Sequence, residues 1–264
     1  GDWKGWRLVA LHASAAAYRM GHRLENQGRA RSAIGIAAML AHEIKNPLSG
    51  IRGASQLLEA RAAEADARLT RLIRSEVDRI TALIDQMEGF TDTRPLTLQP
   101  ANIQEIIDHA RQVALTGFGK DLKIVESYDP SLPPVMVHRD SLIQILIYLL
   151  KNAAETSEKK EVRLVKITTA YRHGVSIAPG GRGGKRPLPI ELCVIDDGPG
   201  APPELVDSLF DPFVTSKHAG KGLGLALADK LIRDMGGIIQ YERQGTPAMT
   251  VFRLLLPRAE GVSA

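Results

Sequence analysis

The sequence predicts an α+β fold in which a two-helix hairpin precedes a separate domain of mixed strands and helices. Between residues 28 and 87, apolar residues recur every three or four positions in two segments, which is the period of amphipathic helices. After residue 100, strand-like and helix-like segments alternate, which indicates a sheet covered by helices. At 264 residues, the chain is long enough for two such units.

The first predicted helix covers residues 28–60, and the second covers the segment around residues 69–87. The polar link at 59–66 is short and predicts that the two helices run antiparallel. The apolar seams comprise Ile34, Ala37, Ala41, Ile44, Leu48, Ile51 and Leu58 in the first helix, and Leu69, Ile73, Val77, Ile80, Ile84 and Met87 in the second. A lone hairpin leaves such seams half exposed, so we expect two copies to pair into a four-helix bundle.

The first predicted helix contains a histidine at position 42 and a proline at position 47. His42 follows the seam residue Ala41, so its side chain is predicted to lie beside the apolar stripe and to face solvent. Pro47 lacks a backbone donor and is expected to bend or loosen the helix one turn later.

The second domain follows a proline-containing break at 91–100, which we interpret as a linker. Predicted helices cover residues 103–115, 141–156 and 224–235. Predicted strands cover residues 122–128, 162–171, 190–195, 238–241 and 250–256. Residues 172–189 are rich in glycine and proline, and are expected to form a flexible loop between two strands.

Four segments are therefore expected along the chain. Residues 1–27 would be the remnant of an upstream sensor domain or connector, with an apolar run at 6–11 that is ambiguous between strand and helix. Residues 28–94 would form the hairpin, 95–258 the α/β domain, and 259–264 a tail.

The composition excludes several classes of function. The net charge of +4 and the 5% of aromatic residues do not match the basic, aromatic-interleaved surface of a nucleic-acid binder. The longest apolar run, at 142–150, is well short of the roughly 20 residues that cross a bilayer. The only cysteine, Cys193, has no disulfide partner, which favours a reducing cytoplasm.

His42 is the first candidate catalytic residue, because an acidic residue follows it directly. A carboxylate next to an imidazole, here Glu43, can accept the proton of one ring nitrogen and leave the other nitrogen nucleophilic. Asn46 lies one helical turn after His42 on the same face, where its amide could orient a water molecule.

The segment His42–Leu48, which reads His-Glu-Ile-Lys-Asn-Pro-Leu, resembles the H-box of the two-component sensor histidine kinases. Extended to Leu58, it is most similar to the nitrogen-regulatory, NtrB-type branch of that family. The resemblance implies that His42 is autophosphorylated from ATP and that the phosphoryl group then passes to an aspartate of a response regulator. It also implies a phosphatase activity in which Asn46 positions the attacking water.

The helix predicted around residues 140–155 resembles the N-box of the same family. Its Asn152 carries an amide oxygen suited to Mg²⁺, and Lys151 could add a positive charge at the triphosphate. The family usually carries a second asparagine four residues earlier, where this chain has Tyr148, a poor metal ligand. Gln144, one turn before Tyr148, could take over part of that role.

The segment Asp196–Gly200 (Asp-Asp-Gly-Pro-Gly) resembles the G1 box. The resemblance implies that Asp196 recognises adenine, because a carboxylate can accept a hydrogen bond from the exocyclic amine. It also implies that Gly198 and Gly200 let the backbone approach the ring. Without the other motifs, the same residues would predict an ordinary β-turn.

Residues 209–217 resemble the F-box and residues 220–226 the G2 box, and 201–221 are expected to form a mobile lid over ATP. A glycine-rich loop that runs into a helix places backbone N–H groups at phosphates, although the spacing is not that of a Walker loop. The resemblance assigns to the nucleotide Phe213, Thr215, Lys217, Gly220, Gly222, Leu223, Gly224 and Thr250.

The resemblance as a whole implies a GHKL-type α/β-sandwich that binds ATP and Mg²⁺, behind a dimerising hairpin that carries the phosphoacceptor. It implies a homodimer whose partners are an NtrC-type receiver domain and a PII-type signalling protein. Two alternatives stay open at this point. One is a kinase-impaired, nucleotide-binding scaffold or phosphatase, because of Tyr148. The other is an unrelated ATPase with the same nucleotide fold, such as the gyrase, chaperone and mismatch-repair enzymes.

Overall fold

The computed structural model describes residues 41–61, 63–155, 163–177, 185–217 and 222–259. The predictions for residues 1–40, including the upstream segment and the first part of the first helix, lie outside these ranges. So does nearly all of the predicted tail, apart from Ala259.

The hairpin consists of helices α1 (Ala41–Glu59) and α2 (Glu64–Thr91). Ion pairs of Lys45 with Asp85 and of Arg52 with Asp78 join the beginning of α1 to the later part of α2, so the helices run antiparallel as predicted. Pro47 lies within α1, which continues through it. A small apolar core between the helices contains Ala41, Leu48, Val77 and Ile84.

Most of the other seam residues in the described part of the hairpin are exposed in the single chain, and Met87 is half-buried. Ile51 is 47% exposed, Leu58 61% and Leu69 60%, and Ile44, Ile73 and Ile80 are exposed as well. Together these side chains form the apolar surface that pairing with a second copy would bury.

The second domain is built on a five-stranded mixed sheet in the order β2-β4-β7-β9-β8. Its strands are β2 (Leu122–Ser127), β4 (Arg163–Tyr171), β7 (Ile190–Asp196), β8 (Ile238–Gln244) and β9 (Met249–Leu256). Strands β2 and β4 are parallel, and the other neighbouring strands are antiparallel.

Four shorter strands were not predicted from the sequence. Strands β1 (Gln99–Ala101) and β3 (Val135–Val137) form a separate antiparallel pair, so the predicted linker already contains the first strand of the second domain. Strands β5 (Ser176–Ile177) and β6 (Arg186–Pro187) pair within the segment predicted as a loop, and residues 178–184 of that segment lie outside the described part.

Helix α4 (Arg139–Glu155) contacts both α3 (Ile103–Thr116) and α5 (Gly224–Asp234), and it also packs against strands β4 and β7. Asn102 caps α3, because its side chain accepts a hydrogen bond from the backbone N–H of Gln104 at 2.9 Å. The shared core is almost entirely aliphatic and includes Ile106, Leu146, Leu149, Ile167, Leu192 and Leu254. This helix-covered sheet confirms the predicted α+β class, and the loops at one end of it surround a cavity.

In the described parts of the chain, every helix is too short or too polar to cross a membrane.

Candidate active site

The hairpin presents the predicted phosphoacceptor to solvent. His42, Glu43 and Asn46 are all exposed on α1, whereas the preceding Ala41 is completely buried, which agrees with the predicted orientation. The side chains of His42 and Glu43 lie about 100° apart around the helix axis. The imidazole is thus accessible to a donor that approaches from outside the hairpin.

Lys45, within the same motif, fixes this part of α1 to α2. Its ammonium group lies 2.6 Å from a carboxylate oxygen of Asp85 and 2.5 Å from one of Glu88. The hydrogen bonds to Asp85 and Glu88 raise the pKa of Lys45 above its ordinary value. These ion pairs therefore fix the position of the segment that carries His42 along the axis of α2.

A cavity of about 580 Å³ lies between α4, the start of α5, the ends of β7, β8 and β9, and helix α2. This volume falls in the range of small-molecule and nucleotide sites. Predicted site residues that line it are Lys151, Asn152, Asp196, Gly200, Thr215, Lys217, Gly222, Leu223, Gly224 and Thr250. Gln144, Gly198 and Phe213 do not line it, and Gly220 lies outside the described residues.

Asp196 marks one end of the cavity, where β7 ends. Its carboxylate is 4% exposed and accepts a hydrogen bond from the N–H of Gly198 at 2.8 Å. Burial raises the pKa of Asp196 above its ordinary value, and the hydrogen bond from Gly198 partly opposes the shift. A buried carboxylate with remaining acceptor capacity can accept hydrogen bonds from an amine such as that of adenine.

The loop after Asp196 is held by β8. Arg243 donates hydrogen bonds to the carbonyl oxygen of Gly198 at 2.6 Å and to the hydroxyl oxygen of Thr250 at 2.7 Å. The N–H of Ala201 donates to the hydroxyl oxygen of Tyr241 at 2.7 Å. Gly200 has a φ of +79°, and a methyl group there would lie 2.7 Å from the Tyr241 oxygen, so this position requires glycine.

The opposite end of the cavity is formed by α4. The ammonium group of Lys217 donates a hydrogen bond to the side-chain oxygen of Asn152 at 2.8 Å and lies 3.2 Å from a carboxylate oxygen of Glu155. Lys151 is 3.8 Å from the same carboxylate group. The amide oxygen predicted to bind a metal is therefore already placed next to a cationic group.

Tyr148 occupies the position of the second N-box asparagine and lines the cavity. Its hydroxyl oxygen accepts a hydrogen bond from the amide nitrogen of Gln144 at 3.0 Å, and it also has a hydrogen bond with Gln86 of helix α2. Burial raises the pKa of Tyr148 above its ordinary value. Gln144 therefore supports the phenol rather than lining the cavity itself.

The glycine-rich loop closes the cavity before α5. Gly222 has a φ of +64°, and a methyl group there would lie 2.4 Å from the carbonyl carbon of Phe213. The N–H of Phe213 in turn donates to the carbonyl oxygen of Gly222 at 2.9 Å. Two backbone segments thus touch at this point, and the first turn of α5 lines the cavity beside them.

Several residues of the cavity lining were not predicted from the sequence. Tyr241 and Phe252 come from the sheet, while Arg79, Ala82 and Gln86 come from the hairpin. The last three recur at helical spacing on an exposed face of α2, where nothing in the local sequence distinguishes them from solvated residues. Only the packing of α2 against the second domain brings them to the cavity.

Comparisons with known proteins agree with this arrangement. A family model described as histidine kinase-, DNA gyrase B- and HSP90-like ATPase matches residues 137–260. A second model, the His Kinase A (phospho-acceptor) domain, matches residues 35–94.

The same two units occur together in curated relatives. The chain is 47% identical over 257 residues to the sensory histidine kinase/phosphatase NtrB of Rhizobium meliloti, which covers 97% of this chain and 67% of the relative. It is 44% identical to NtrB of Rhodobacter capsulatus, with 96% of this chain and 70% of the relative covered. The chain thus spans about two thirds of the length of these relatives.

Among solved structures, full-length ShkA in complex with AMPPNP matches with a TM-score of 0.67 and 25% identity, and covers 85% of this chain and 46% of that one. The histidine kinase AdeS of Acinetobacter baumannii shares the fold, with a TM-score of 0.55 and 23% identity over 83% of this chain and 98% of that one. The exposed histidine of the hairpin, the nucleotide-sized cavity and these relatives lead to one conclusion. The chain belongs to the NtrB family of sensory histidine kinases/phosphatases.

Proposed function

We propose that this protein is an ATP-dependent histidine kinase in which His42 takes the γ-phosphoryl group of ATP and passes it to an aspartate of a response regulator. The carrying observation is that one chain combines an exposed histidine on a hairpin helix with a cavity that has a buried carboxylate at one end and cations at the other. A phosphoryl relay needs both parts, because the donor site and the acceptor group must be separate and must be able to meet.

In this proposal, Asp196 accepts the adenine amine, and Gly200 and Thr250 line the space around the ring. Gly222, Leu223 and Gly224 face the phosphates with backbone N–H groups at the start of α5. Lys151 and Lys217 supply positive charge to the triphosphate. We assign Thr215 to the same loop wall, and we propose that Gly198, Phe213 and Gln144 shape the site from outside the cavity lining. The assignment of Gly220 to the nucleotide stays a prediction from the sequence, because this residue lies outside the described ranges.

The chemical step is an in-line displacement. A ring nitrogen of His42 forms a bond to the γ-phosphorus while the bond from that phosphorus to the bridging oxygen breaks, and ADP leaves. Glu43 accepts the proton that the imidazole gives up. His42 does not line the cavity of its own chain in this structure, and reacting atoms must come within about 3–3.5 Å. The transfer therefore uses either a different docking of the two domains or the histidine of the second copy.

The residues at α4 fit a magnesium ion. Mg²⁺ is usually held by one or two protein oxygens together with substrate phosphates, and the Asn152 side-chain oxygen already accepts a hydrogen bond from the Lys217 ammonium group. A bound Mg²⁺ would neutralise charge on the phosphates. Asn152 would hold it, and Lys217 would then move to the triphosphate.

We also propose a phosphatase activity towards the phosphorylated regulator. Asn46 lies one turn after His42 on the same exposed face, where its amide can orient a water molecule towards a phosphoaspartate. The kinase-impaired alternative is not favoured, because relatives of 44–47% identity are described as kinase/phosphatases.

The proposed division of the chain is a dimerisation and phosphoacceptor unit at 28–94 and an ATP-binding unit at 95–258. The exposed seam of the hairpin supports a homodimer. By analogy with the NtrB relatives, we propose an NtrC-type receiver domain and a PII-type protein as partners, and a cytoplasmic location in which the buried thiol of Cys193 stays reduced.

The test is incubation with γ-labelled ATP and Mg²⁺, followed by acid and base treatment of the labelled protein. Phosphohistidine is lost in acid and survives base, whereas phosphoserine and phosphoaspartate behave differently. The variant His42→Gln is expected to lose the label and the matched variant His109→Gln, which changes another exposed helical histidine, to keep it. Label that persists in His42→Gln contradicts the proposal.

A further inference from the structure

Helix α2 of the hairpin closes one side of the nucleotide cavity. Arg79, Ala82 and Gln86 lie on one face of α2 at intervals of three and four residues, and all three line the cavity together with residues of α4 and α5. A nucleotide pocket in the second domain alone would be open on this side.

The docking of α2 rests on specific contacts. The side chain of Gln86 forms a hydrogen bond with the hydroxyl group of Tyr148, and the ring of Tyr148 packs close to Gly224, where an added methyl group would lie 3.6 Å away. One turn after Gln86, Gly89 lies against Leu227 of α5, and Phe90 packs against the core of the second domain. Tyr148 therefore joins the hairpin to the wall of the cavity.

The charges on this wall suit a polyanion. Arg79 lies two helical turns before Gln86 on the same side of α2. Its guanidinium group is 3.5 Å from Glu76 on the same helix, and both side chains are about half exposed, so that ion pair contributes little to stability. A guanidinium group binds phosphate oxygens in a fixed two-pronged geometry, which a lysine cannot reproduce.

We propose that Arg79 of the hairpin is a ligand of the nucleotide phosphates and that the Tyr148–Gln86 hydrogen bond holds α2 in place for this contact. The proposal rests on the proposed function, since it requires ATP in the cavity, and it assigns to Tyr148 a docking role in place of the metal-binding role of an asparagine. It also means that nucleotide binding and the docking of the two domains stabilise each other.

The first experiment is calorimetric binding of ATP, ADP and adenosine to the whole chain at low ionic strength, with Arg79→Ala, Arg79→Lys and Arg68→Ala. Arg68 is the matched control, because it is an exposed arginine of α2 that does not line the cavity. We expect Arg79→Ala to raise the Kd for ATP about five- to tenfold and to leave the Kd for adenosine unchanged. Arg79→Lys should recover part of the loss, and added salt should reduce it.

Two results would overturn the assignment of Arg79. One is an ATP affinity in Arg79→Ala equal to that of the wild type and of Arg68→Ala. The other is an equal loss for ATP and adenosine, because a contact to phosphates cannot weaken the binding of a ligand that has none. If the wild-type protein itself fails to bind ATP, the proposed function fails, and that outcome is distinct from both.

The second experiment is a double-mutant cycle on the docking contact. Gln86→Ala and Tyr148→Phe should each raise the Kd for ATP about two- to fivefold. The double variant should be no worse than Tyr148→Phe alone, since that substitution already removes the hydrogen bond with Gln86 together with the one from Gln144. Arg79→Ala should cost less in the Gln86→Ala background than in the wild type. Fully additive effects would show that the three residues act independently and would refute the docking role.

Discussion

The glycine-rich loop offers the sharpest single test of the nucleotide site, through the substitution Gly222→Ala. Gly222 adopts a φ of +64°, and its missing side chain leaves room for the backbone of Phe213. A Cβ atom added here would lie 2.4 Å from the Phe213 carbonyl carbon and 2.6 Å from the backbone nitrogen of Val214. The loop cannot accept the methyl group in its present form.

The size of the effect follows from two costs. A left-handed backbone conformation costs a residue with a side chain roughly 1–2 kcal/mol relative to glycine. The clash adds to this, because an ordinary contact lies at 3.4–4 Å, so one of the two backbone segments must move by about 1 Å. We expect the free energy of ATP binding to weaken by at least about 2 kcal/mol, which is roughly 30-fold in Kd.

The assay is ATP binding by calorimetry, with thermal unfolding measured in parallel. Gly174→Ala is the matched control, since Gly174 also has a positive φ of +78° but has nothing within 4 Å of the added methyl group and does not line the cavity. It should lower the melting temperature slightly and leave the ATP affinity unchanged. An ATP affinity in Gly222→Ala within twofold of the wild type would refute the assignment of this loop to the phosphates.

Three further substitutions test other parts of the structure. Arg243→Ala removes the hydrogen bonds to Gly198 and Thr250 and should raise the Kd for ATP about tenfold in calorimetry; an unchanged Kd would contradict the role of Arg243 in holding the adenine loop. Burial raises the pKa of Asp196, so its carboxyl group stays protonated to a higher pH in the native state than in the unfolded chain. The free energy of unfolding therefore falls as the pH rises from about 3.8 through the native pKa. Asp196→Asn should therefore raise the melting temperature at pH 7 while it weakens ATP binding more than tenfold, and a lower melting temperature would show that the carboxylate stabilises the fold. Leu146→Ala empties a fully buried position of α4 and should cost about 2–5 kcal/mol in chemical denaturation, whereas a cost below 1 kcal/mol would mean that the core is looser than the structure has it.

The long elements could be predicted from the sequence because each carries its own pattern. The seams of α1 and α2 follow the helical period over many turns, and strands β7 and β9 are largely apolar segments of seven and eight residues. The glycine and aspartate motifs could be placed at the ends of these elements for the same reason. Their positions around one cavity agree with that placement.

The short strands could not be predicted in this way. Strands β1 and β3 have three residues each, which is too few for an alternating pattern, and their pairing depends on contacts between residues almost 40 positions apart. Strands β5 and β6 are shorter still, with two residues each, and they lie in a segment whose glycines and prolines favour a loop.

The cavity-lining residues of α2 could not be predicted from the sequence for a different reason. Arg79 and Gln86 belong to the polar face of an amphipathic helix, and such a face normally contacts only water. Tyr148 could be recognised as a departure from the N-box pattern, but its partners could not, because Gln86 lies 62 positions earlier in the chain. Local periodicity identifies which face of a helix is polar and gives no information on what that face meets.

The central claim is that the cavity at Asp196 supplies the phosphoryl group that His42 accepts. Mass spectrometry of the protein after incubation with ATP and Mg²⁺, under conditions that preserve phosphohistidine, tests it most directly when wild type and Asp196→Asn are compared at limiting ATP. We predict a phosphoryl group on the peptide that contains His42 in the wild type and almost none in Asp196→Asn. A phosphoryl group on another residue, or equal phosphorylation of His42 in both proteins, would contradict the claim.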